Sequence, residues 1–298
     1  MAYSNAMSHL VEKAGKTVAA VPSAAYRISS GVIFREDLIA VNNHALRREG
    51  KIPVTLPDGS EEQATILGRD PSVDVAILQL TGAKLVPGEV AAEDSLQSGA
   101  LIAVVGRTLD AGLSASVGIV GAVGGPRRTW RGGSLTRFIR LDVSLYPSQA
   151  GAAVVKAKGE LIGMATGAMS RHSALAIPVG SLNRVANELL KGGRVRRGYL
   201  GVSLQPVPIP QHLREKSPTI GESGLMILSI EPDGSAHAAD LQLGDIIVAA
   251  NGETISDTEN LQGLLREAVD TPLRLTLLRA GVVIEVEVQI GERTTKRA

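Results

Sequence analysis

The chain has no cysteine among its 298 residues. That excludes disulfide bonds, thiolate catalysis and cysteine-ligated zinc. Aromatic residues are nearly absent as well, with two Phe, one Trp and four Tyr. Val, Ile, Leu and Ala must therefore fill the interior of a chain that is 44% apolar. Neither charge sign dominates: 31 basic residues face 30 acidic ones, for a net charge of +1. No global attraction to nucleic acid or anionic lipid follows, and neither partner is expected. Two short basic clusters, Arg127, Arg128 and Arg131, then Arg194, Arg196 and Arg197, read as a solvated loop and a solvated linker. No window has the roughly 18 apolar residues of a membrane span. The first twenty residues, MAYSNAMSHLVEKAGKTVAA, are interrupted by Glu12, Lys13 and Lys16 and lack the apolar core of a signal peptide. The expectation is a cytoplasmic chain as written, periplasmic if a leader has been removed. His9, His172, His212 and His237 lie in unrelated contexts, so neither a metal site nor an organic cofactor is expected.

What is present is a series of short β-prone runs between turn signals, in a chain with 33 glycines. The runs are 25–34, 38–41, 52–56, 63–67 and 75–80, then 101–105, 114–123, 138–143, 153–156, 161–166 and 174–178. Pro57-Asp58-Gly59 is a turn signal between two of them. So many short strands at such spacing predict a barrel or sandwich. Leu10, Val11, Ala14 and Val18 share a helical face, which predicts a short helix over 9–20. Residues 180–191 predict a second helix, with Ser181 as N-cap and Gly192-Gly193 as stop. The GGRVRRG segment reads as a charged linker, and the strand pattern restarts after it. Strands are expected at 199–205, 224–230, 245–250, 273–279 and 282–290, around a helix at 257–268. The expected organisation is an N-terminal segment 1–20, a β domain 21–191, a linker 192–197 and a small α/β domain 198–292.

Two polar residues stand at strand ends. His44 follows the run Ile39-Ala40-Val41-Asn42-Asn43, and Asp74 opens the strand Val75-Ala76-Ile77-Leu78. A base and an orienting carboxylate delivered by strand ends into a cleft are two of the three groups that acyl transfer by a serine nucleophile requires. Each residue alone carries little weight. Together with SGVI at 30–33, NNH at 42–44, DPSVDVAIL at 70–78, SVGIV at 116–120, LDVSLYP at 141–147, GELIGM at 159–164 and ALAIP at 174–178, they carry a specific resemblance. Over residues 15–292 the chain resembles the HtrA-type (Deg-type) serine proteases. The resemblance implies an all-β-dominated fold: a trypsin-like double six-stranded β-barrel followed by a small α/β PDZ domain.

The resemblance places His44 at the general base, Asp74 at the orienting carboxylate and Ala150 at the nucleophile, where a hydroxyl belongs. It gives the backbone N–H groups of Ser148 and Ala150 to the oxyanion hole. Leu145, Tyr146 and Leu175 fall to an apolar specificity pocket suited to small aliphatic side chains. Gly198-Tyr199-Leu200-Gly201-Val202 resembles the carboxylate-binding loop of a PDZ domain, in which a C-terminal peptide adds as a strand beside 200–205. Leu261, Leu264 and Leu265 would face that peptide from the helix. The departures lie around the nucleophile: Ser148 replaces a glycine, Gln149 an asparagine, and Ala152 and Ala153 a Gly-Pro pair. Removing the serine of a triad costs on the order of 10⁶ in kcat, whereas a peptide-binding cleft does not need the hydroxyl. The expectation is an inactive pseudoprotease that binds unfolded or C-terminal polypeptide, chaperone-like or regulatory. It would form a homotrimer, as is usual in the family, or a mixed oligomer with an active relative. The alternative is an active protein-quality-control endopeptidase carrying a deliberate Ser-to-Ala substitution that traps substrate. The four further changes in the loop favour natural drift.

Overall fold

A computed structural model describes residues 2–292, apart from 24–26, 47–49, 83, 93–94, 109–111, 130–131, 171–172, 193–197 and 216. Arg131, His172 and most of the expected linker, including Arg194, Arg196 and Arg197, lie outside the described residues. The chain divides into two compact units, Met1–Val195 and Arg196–Ala298.

The first unit holds two closed barrels. Strands β1 (Val18–Ser23), β2 (Arg27–Arg35), β3 (Leu38–Asn42), β4 (Lys51–Thr55), β5 (Glu61–Asp70) and β6 (Val75–Gln79) close in the order β1-β2-β3-β6-β5-β4. The second set is β7 (Leu101–Thr108), β8 (Gly112–Gly124), β11 (Phe138–Asp142), β12 (Ala153–Lys156), β13 (Leu161–Thr166) and β14 (Ala174–Pro178). It closes in the order β11-β14-β13-β12-β7-β8. Between β8 and β11 a small ribbon pairs β9 (Arg127–Arg128) with β10 (Ser134–Leu135). The period-2 alternation of a strand sorts the apolar residues into three cores. In β3, Ile39 and Val41 fill the first barrel, while Leu38 and Ala40 face the apolar layer shared by both barrels. In β7, Ile102 and Val104 fill the second barrel, while Ala103 and Val105 enter the shared layer. Strands buried on both faces need no aromatic residue. Each fully buried Val, Leu or Ile contributes about 1.5–3 kcal/mol.

Helix α1 (Ala2–Gly15) contains residues 9–15 of the helix expected at 9–20, but it begins at Ala2 and ends at Gly15. The sequence pattern misleads because Val18 is apolar for a different reason. It opens β1, pairs with Val32 and is fully buried. Thr17 ends the helix, its hydroxyl donating to Ala14 O at 2.8 Å. Helix α2 (Val179–Gly192) covers the shared layer with Leu182, Val185 and Leu189. Ser181 is not its N-cap. It lies inside the helix, buried, and its Oγ accepts the Thr136 N–H at 2.9 Å.

In the second unit, β15 (Gly198–Tyr199) pairs with β22 (Gly291–Glu292). The main sheet runs β16 (Val202–Pro208), β17 (Ser223–Ile230), β18 (Ile246–Ala250), β20 (Pro272–Arg279), β21 (Val282–Gln289), with β19 (Glu253–Thr254) paired to β18. Short helices α3 (Gln211–Arg214) and α4 (Ser235–Ala238) lie in the connections. Helix α5 (Thr258–Glu267) is capped by Asp257, whose carboxylate accepts the Asn260 N–H at 2.8 Å. Leu200, Leu225, Ile227, Ile247, Leu261, Leu265 and Leu275 share one core. The strand expected at 199–205 is broken at Leu200-Gly201, because Gly201 sits at φ +79, a value that suits a residue without Cβ. Asp245, at the turn into β18, is buried and paired with Arg279 at 2.7 Å. Burial pushes the Asp245 carboxyl up, but hydrogen bonds from Arg279 and from the Gln242 N–H outweigh it, and the net shift is downward.

Candidate functional site

His44 and Asp74 come together. His44 lies on a single 3₁₀ turn, Asn43–Ala45, directly after β3. Asp74 immediately precedes β6, and β3 and β6 are paired neighbours. The imidazole Nδ1 stands 2.9 Å from both Asp74 carboxylate oxygens. The His44 backbone N–H donates to Asp74 Oδ1 at 3.1 Å. The Thr166 hydroxyl, from the end of β13, donates to Oδ2 at 2.7 Å. Asp74 is 1% exposed and the imidazole 25% exposed. These donors hold the buried carboxyl group in place, and it in turn orients the imidazole ring through Nδ1. Asp74 holds φ +57, a left-handed conformation in which Asp is several-fold enriched. Thr166 was not singled out from sequence. Its signal was its position at the C-terminal end of a buried strand.

The third expected position lies on the segment 147–151. Pro147–Gln149 form one 3₁₀ turn. The Gln149 N–H donates to Tyr146 O at 2.8 Å, and the Ala150 N–H donates to Pro147 O at 3.2 Å. One of the two amides expected to receive a substrate oxygen is therefore engaged by the loop's own carbonyl. Ser30 of β2 fastens the segment from the first barrel. Its N–H donates to Ala150 O at 2.8 Å, and its hydroxyl donates to Ser148 O at 2.7 Å. The Arg107 N–H in turn donates to Ser30 Oγ at 2.9 Å. The Arg107 guanidinium, its pKa lowered by burial, bonds the carbonyls of Gly15 and Val18. Gly151 has φ +79, and a Cβ there would collide with Ser30 O. No substitution at 151 is therefore neutral. Gln149 is fully buried, and its Oε1 accepts from the Tyr146 N–H and from the Ser116 hydroxyl, each at 3.0 Å. Sequence reasoning treated Gln149 only as a departure from a pattern. Neither Ser30 nor Gln149 carries a sequence signal of its role here.

Of the three residues expected to form a specificity pocket, Leu145 is half-buried against the core of the second barrel. Tyr146 is exposed. Leu175, buried in β14, pairs with Thr166 across to β13.

In the second unit the Tyr199-Leu200-Gly201-Val202 segment joins β15 to β16. The Leu200 carbonyl accepts the Ala236 N–H at 2.8 Å, and the Gly201 carbonyl accepts the Glu231 N–H at 2.8 Å. Among the described residues, no hydrogen bond uses the Leu200 or Gly201 N–H. Strand β16 is an edge strand of its sheet, and an edge presents a row of unpaired main-chain groups. Leu200 is 2% exposed and Leu261 1% exposed, so both are core residues of this unit. Leu265 is also buried, and Leu264 is half-buried against the same cluster. A Cβ at Gly198 would collide with Leu265 O, which shows how closely β15 approaches the end of α5.

The profile of the trypsin-like peptidase domain matches residues 29–164, and that of the PDZ domain matches residues 226–279. A probable periplasmic serine endoprotease, DegP-like, from Pseudomonas putida (strain W619) is 31% identical over 276 residues, covering 90% of this chain and 56% of the relative. A relative of the same description from Brucella suis biovar 1 (strain 1330) is 31% identical over 274 residues, covering 88% of this chain and 52% of the relative. The chain thus spans about half the length of these curated relatives, 56% and 52%. Among solved structures, the serine endoprotease from Yersinia pestis superposes with a TM-score of 0.77 at 26% identity, covering 96% of this chain and 98% of that one. The HtrA-type protease AlgW with tripeptide superposes with a TM-score of 0.74 at 26% identity, covering 98% and 97%. With the two domain profiles matched in this order on a double barrel and a PDZ sheet, the chain belongs to the HtrA-type (Deg-type) family of trypsin-like serine proteases that carry a PDZ domain.

Proposed function

We propose that this chain is a non-catalytic HtrA-type protein that binds unfolded or C-terminal polypeptide segments. The observation that carries the reading is Ala150. On the segment that Ser30 and Gly151 hold against the two barrels, a methyl group stands at the nucleophile position. Position 150 then offers no hydroxyl for activation by His44 at the general base position, with Asp74 at the orienting carboxylate position. Residual catalysis of about 10³ over water, the level left to a hole without its triad, is too slow for proteolysis. Ser148 and Ala150 occupy the oxyanion-hole positions, and Leu145, Tyr146 and Leu175 those of the specificity pocket. In the PDZ unit, the amides of the Tyr199-Leu200-Gly201-Val202 loop receive a terminal carboxylate. The peptide adds to the free edge of β16, facing Leu264 beside Leu261 and Leu265. The curated relatives are named periplasmic, and we assign this chain the same compartment. Assembly is as a homotrimer or as a mixed oligomer with an active relative, which light scattering coupled to gel filtration distinguishes.

The test has two arms. Unfolded casein incubated with the purified chain stays intact, and steady cleavage blocked by a fluorophosphonate would refute the reading. Fluorescent peptides with a free C-terminal carboxylate bind at least about tenfold more tightly than their C-terminal amides, by the loss of charge-assisted hydrogen bonds. Equal affinity would remove the PDZ part of the proposal. A second reading is favoured by the fully braced His44, Asp74 and Thr166 set: an active quality-control endopeptidase in which a serine belongs at 150. Under it, Ala150→Ser alone produces rapid proteolysis.

A further inference from the structure

We infer that Pro206 and Pro208 cut short the open edge of β16, so that the second unit takes only the last few residues of a polypeptide and no internal segment. The inference rests on the PDZ part of the reading above and names the class of ligand that this edge accepts.

Gln205-Pro206-Val207-Pro208 forms the second half of β16. A proline has no N–H to give to a ladder. Bonds at the two ends of the strand show which edge these prolines deplete. At the start, the Gly201 carbonyl accepts the Glu231 N–H at 2.8 Å, on the side of β17. The C=O and N–H of one trans peptide point in opposite directions, so the Val202 N–H points away from β17, to the open edge. At the end, the Ile209 N–H donates to Glu222 O at 2.9 Å, again on the β17 side. The Pro208 carbonyl therefore points to the open edge. Between these ends the extra residue of the bulge lies on β17: Ser203 pairs with Ser229 and Leu204 with Ile227, which leaves Leu228 over. The alternation along β16 is thus unbroken. Val202, Leu204, Pro206 and Pro208 face the open edge with their main-chain groups, and Ser203, Gln205 and Val207 face β17. Sheets tolerate proline where its nitrogen lies on an unpaired edge.

A ligand meets these four residues in order. With its carboxylate on the Leu200 and Gly201 amides, its last residue lies opposite Val202. An antiparallel ladder pairs alternate residues, so the third residue from the end falls opposite Leu204 and the fifth opposite Pro206. Val202 and Leu204 each offer an N–H and a C=O, and their half-buried side chains pack on the same core as Leu264. At Pro206 the donor is gone. The ring carbon Cδ projects about 1.5 Å beyond the nitrogen, one carbon–nitrogen bond, into the space that the fifth residue's carbonyl needs. Pro208 repeats the obstruction two residues on. Both prolines are exposed, so the core does not require them. Proline on an edge is also a means by which sheets refuse pairing with other chains. An internal segment lacks a terminal carboxylate and has only a long ladder to hold it, which this edge denies. Free chain ends, whatever precedes their last four residues, are the ligand class. Pro206 and Pro208 set specificity by exclusion.

The experiment uses the full chain and a fluorescent tetrapeptide ending in valine with a free carboxylate. Unlabelled competitors displace it, so only the site it occupies is read. A decapeptide with the same last four residues, preceded by serines and threonines, is expected to compete within about threefold of the unlabelled tetrapeptide, because it gains no main-chain bond. The variant Pro206→Val, Pro208→Val returns two donors to the edge. One such bond contributes about two- to tenfold in affinity, so the variant is expected to bind the decapeptide at least about fivefold more tightly than the parent does, and the tetrapeptide within about twofold. A parent that prefers the decapeptide by more than about threefold, or a variant that gains less than about fivefold, overturns the proline limit. A second measurement needs no variant. N-methylation of the decapeptide's third residue from the end is expected to weaken binding to the parent at least about fivefold, and of its fifth residue less than about twofold. Equal losses at the two positions overturn the limit. The failures are distinct. A tetrapeptide that does not bind, or whose amide competes as well as the acid, sinks the PDZ reading itself. A ladder that runs past Leu204 in a carboxylate-dependent complex sinks only the limit.

Discussion

Replacing Thr166 by valine keeps the shape of a β-branched side chain and removes one hydroxyl. That hydroxyl donates to Asp74 Oδ2 at 2.7 Å and accepts the Ala168 N–H at 3.2 Å. The bond to the carboxylate is the stronger of the two, because its acceptor is a carboxylate oxygen of a side chain only 1% exposed. A hydrogen bond to a charged group contributes about 1.5–3 kcal/mol, and a neutral one about 1 kcal/mol. The Ala168 amide lies near the surface of its loop and recovers much of its loss from water. A destabilisation of about 2–3 kcal/mol is therefore expected for Thr166→Val. For a unit of this size, 1 kcal/mol moves the melting temperature by about 2–4 °C, so the barrel transition falls by about 4–12 °C. Differential scanning calorimetry of the full chain reads it, the two compact units being expected to give separate transitions to compare. Thr166→Ser keeps the donor and is expected to lose less than about half as much. A Thr166→Val barrel transition within 2 °C of the parent would refute the idea that this hydroxyl holds the buried carboxylate.

Gly151→Ala places a Cβ against Ser30 O at a residue with φ +79. A left-handed conformation alone costs about 1–2 kcal/mol for a residue with a side chain, and the collision adds to it, so a loss above about 2 kcal/mol is expected in urea unfolding of the barrels. Gly198→Ala meets Leu265 O in the same way, and its expected effect is confined to the second calorimetric transition. Arg279→Met removes the partner of Asp245, whose side chain is 1% exposed, and a loss of about 3–5 kcal/mol is expected from leaving that charge unpaired. The pH dependence has a fixed sign. The Asp245 carboxyl is lowered in the folded state, so its contribution is fully present above the unfolded carboxyl value of about 3.9 and is lost as pH falls through the folded value. The stability gap between parent and Arg279→Met should therefore narrow below about pH 4, as followed by unfolding at a series of pH values.

The strand layout was legible because turn chemistry and apolar runs agree over most of the chain. The edges of β12, β13 and β14 follow the apolar runs to the residue. Two errors have different physical causes. Val18 fits the apolar face of a helix and equally opens a strand buried on both sides, and periodicity cannot separate those cases. Ser181 has the composition of an N-cap but is taken by the Thr136 amide, a tertiary partner that no local rule detects. The pair of His44 and Asp74 was readable from strand ends and motif context. Thr166, Ser30 and Gln149 were not, because each acts through a bond to a residue more than thirty positions away or through full burial. In the PDZ unit the break at Leu200-Gly201 was hidden by residues that otherwise read as one strand, and only the positive φ of Gly201 exposes it.

The bracing of His44 by Asp74 invites the conclusion that the site must be active, and the energetics argue against it. Asp74 is buried just before β6 in a chain that has alanine at 150. A buried carboxylate stripped of donors costs several kcal/mol. The His44 backbone N–H, the His44 ring and the Thr166 hydroxyl supply those donors, so the fold keeps the dyad for its own stability. The 147–151 segment has no such obligation. On the reading proposed above, a hydroxyl at 150 and a glycine at 148 would serve only chemistry, and this chain has Ala150 and Ser148 there. Loss confined to the part of the site that stability does not protect is what a protein retaining peptide binding without cleavage would show. An active enzyme disabled by one designed substitution would instead keep the glycine and asparagine of the family pattern at 148 and 149, where this chain has Ser148 and Gln149. The residues at 148 and 149 therefore separate the two histories more sharply than the dyad does.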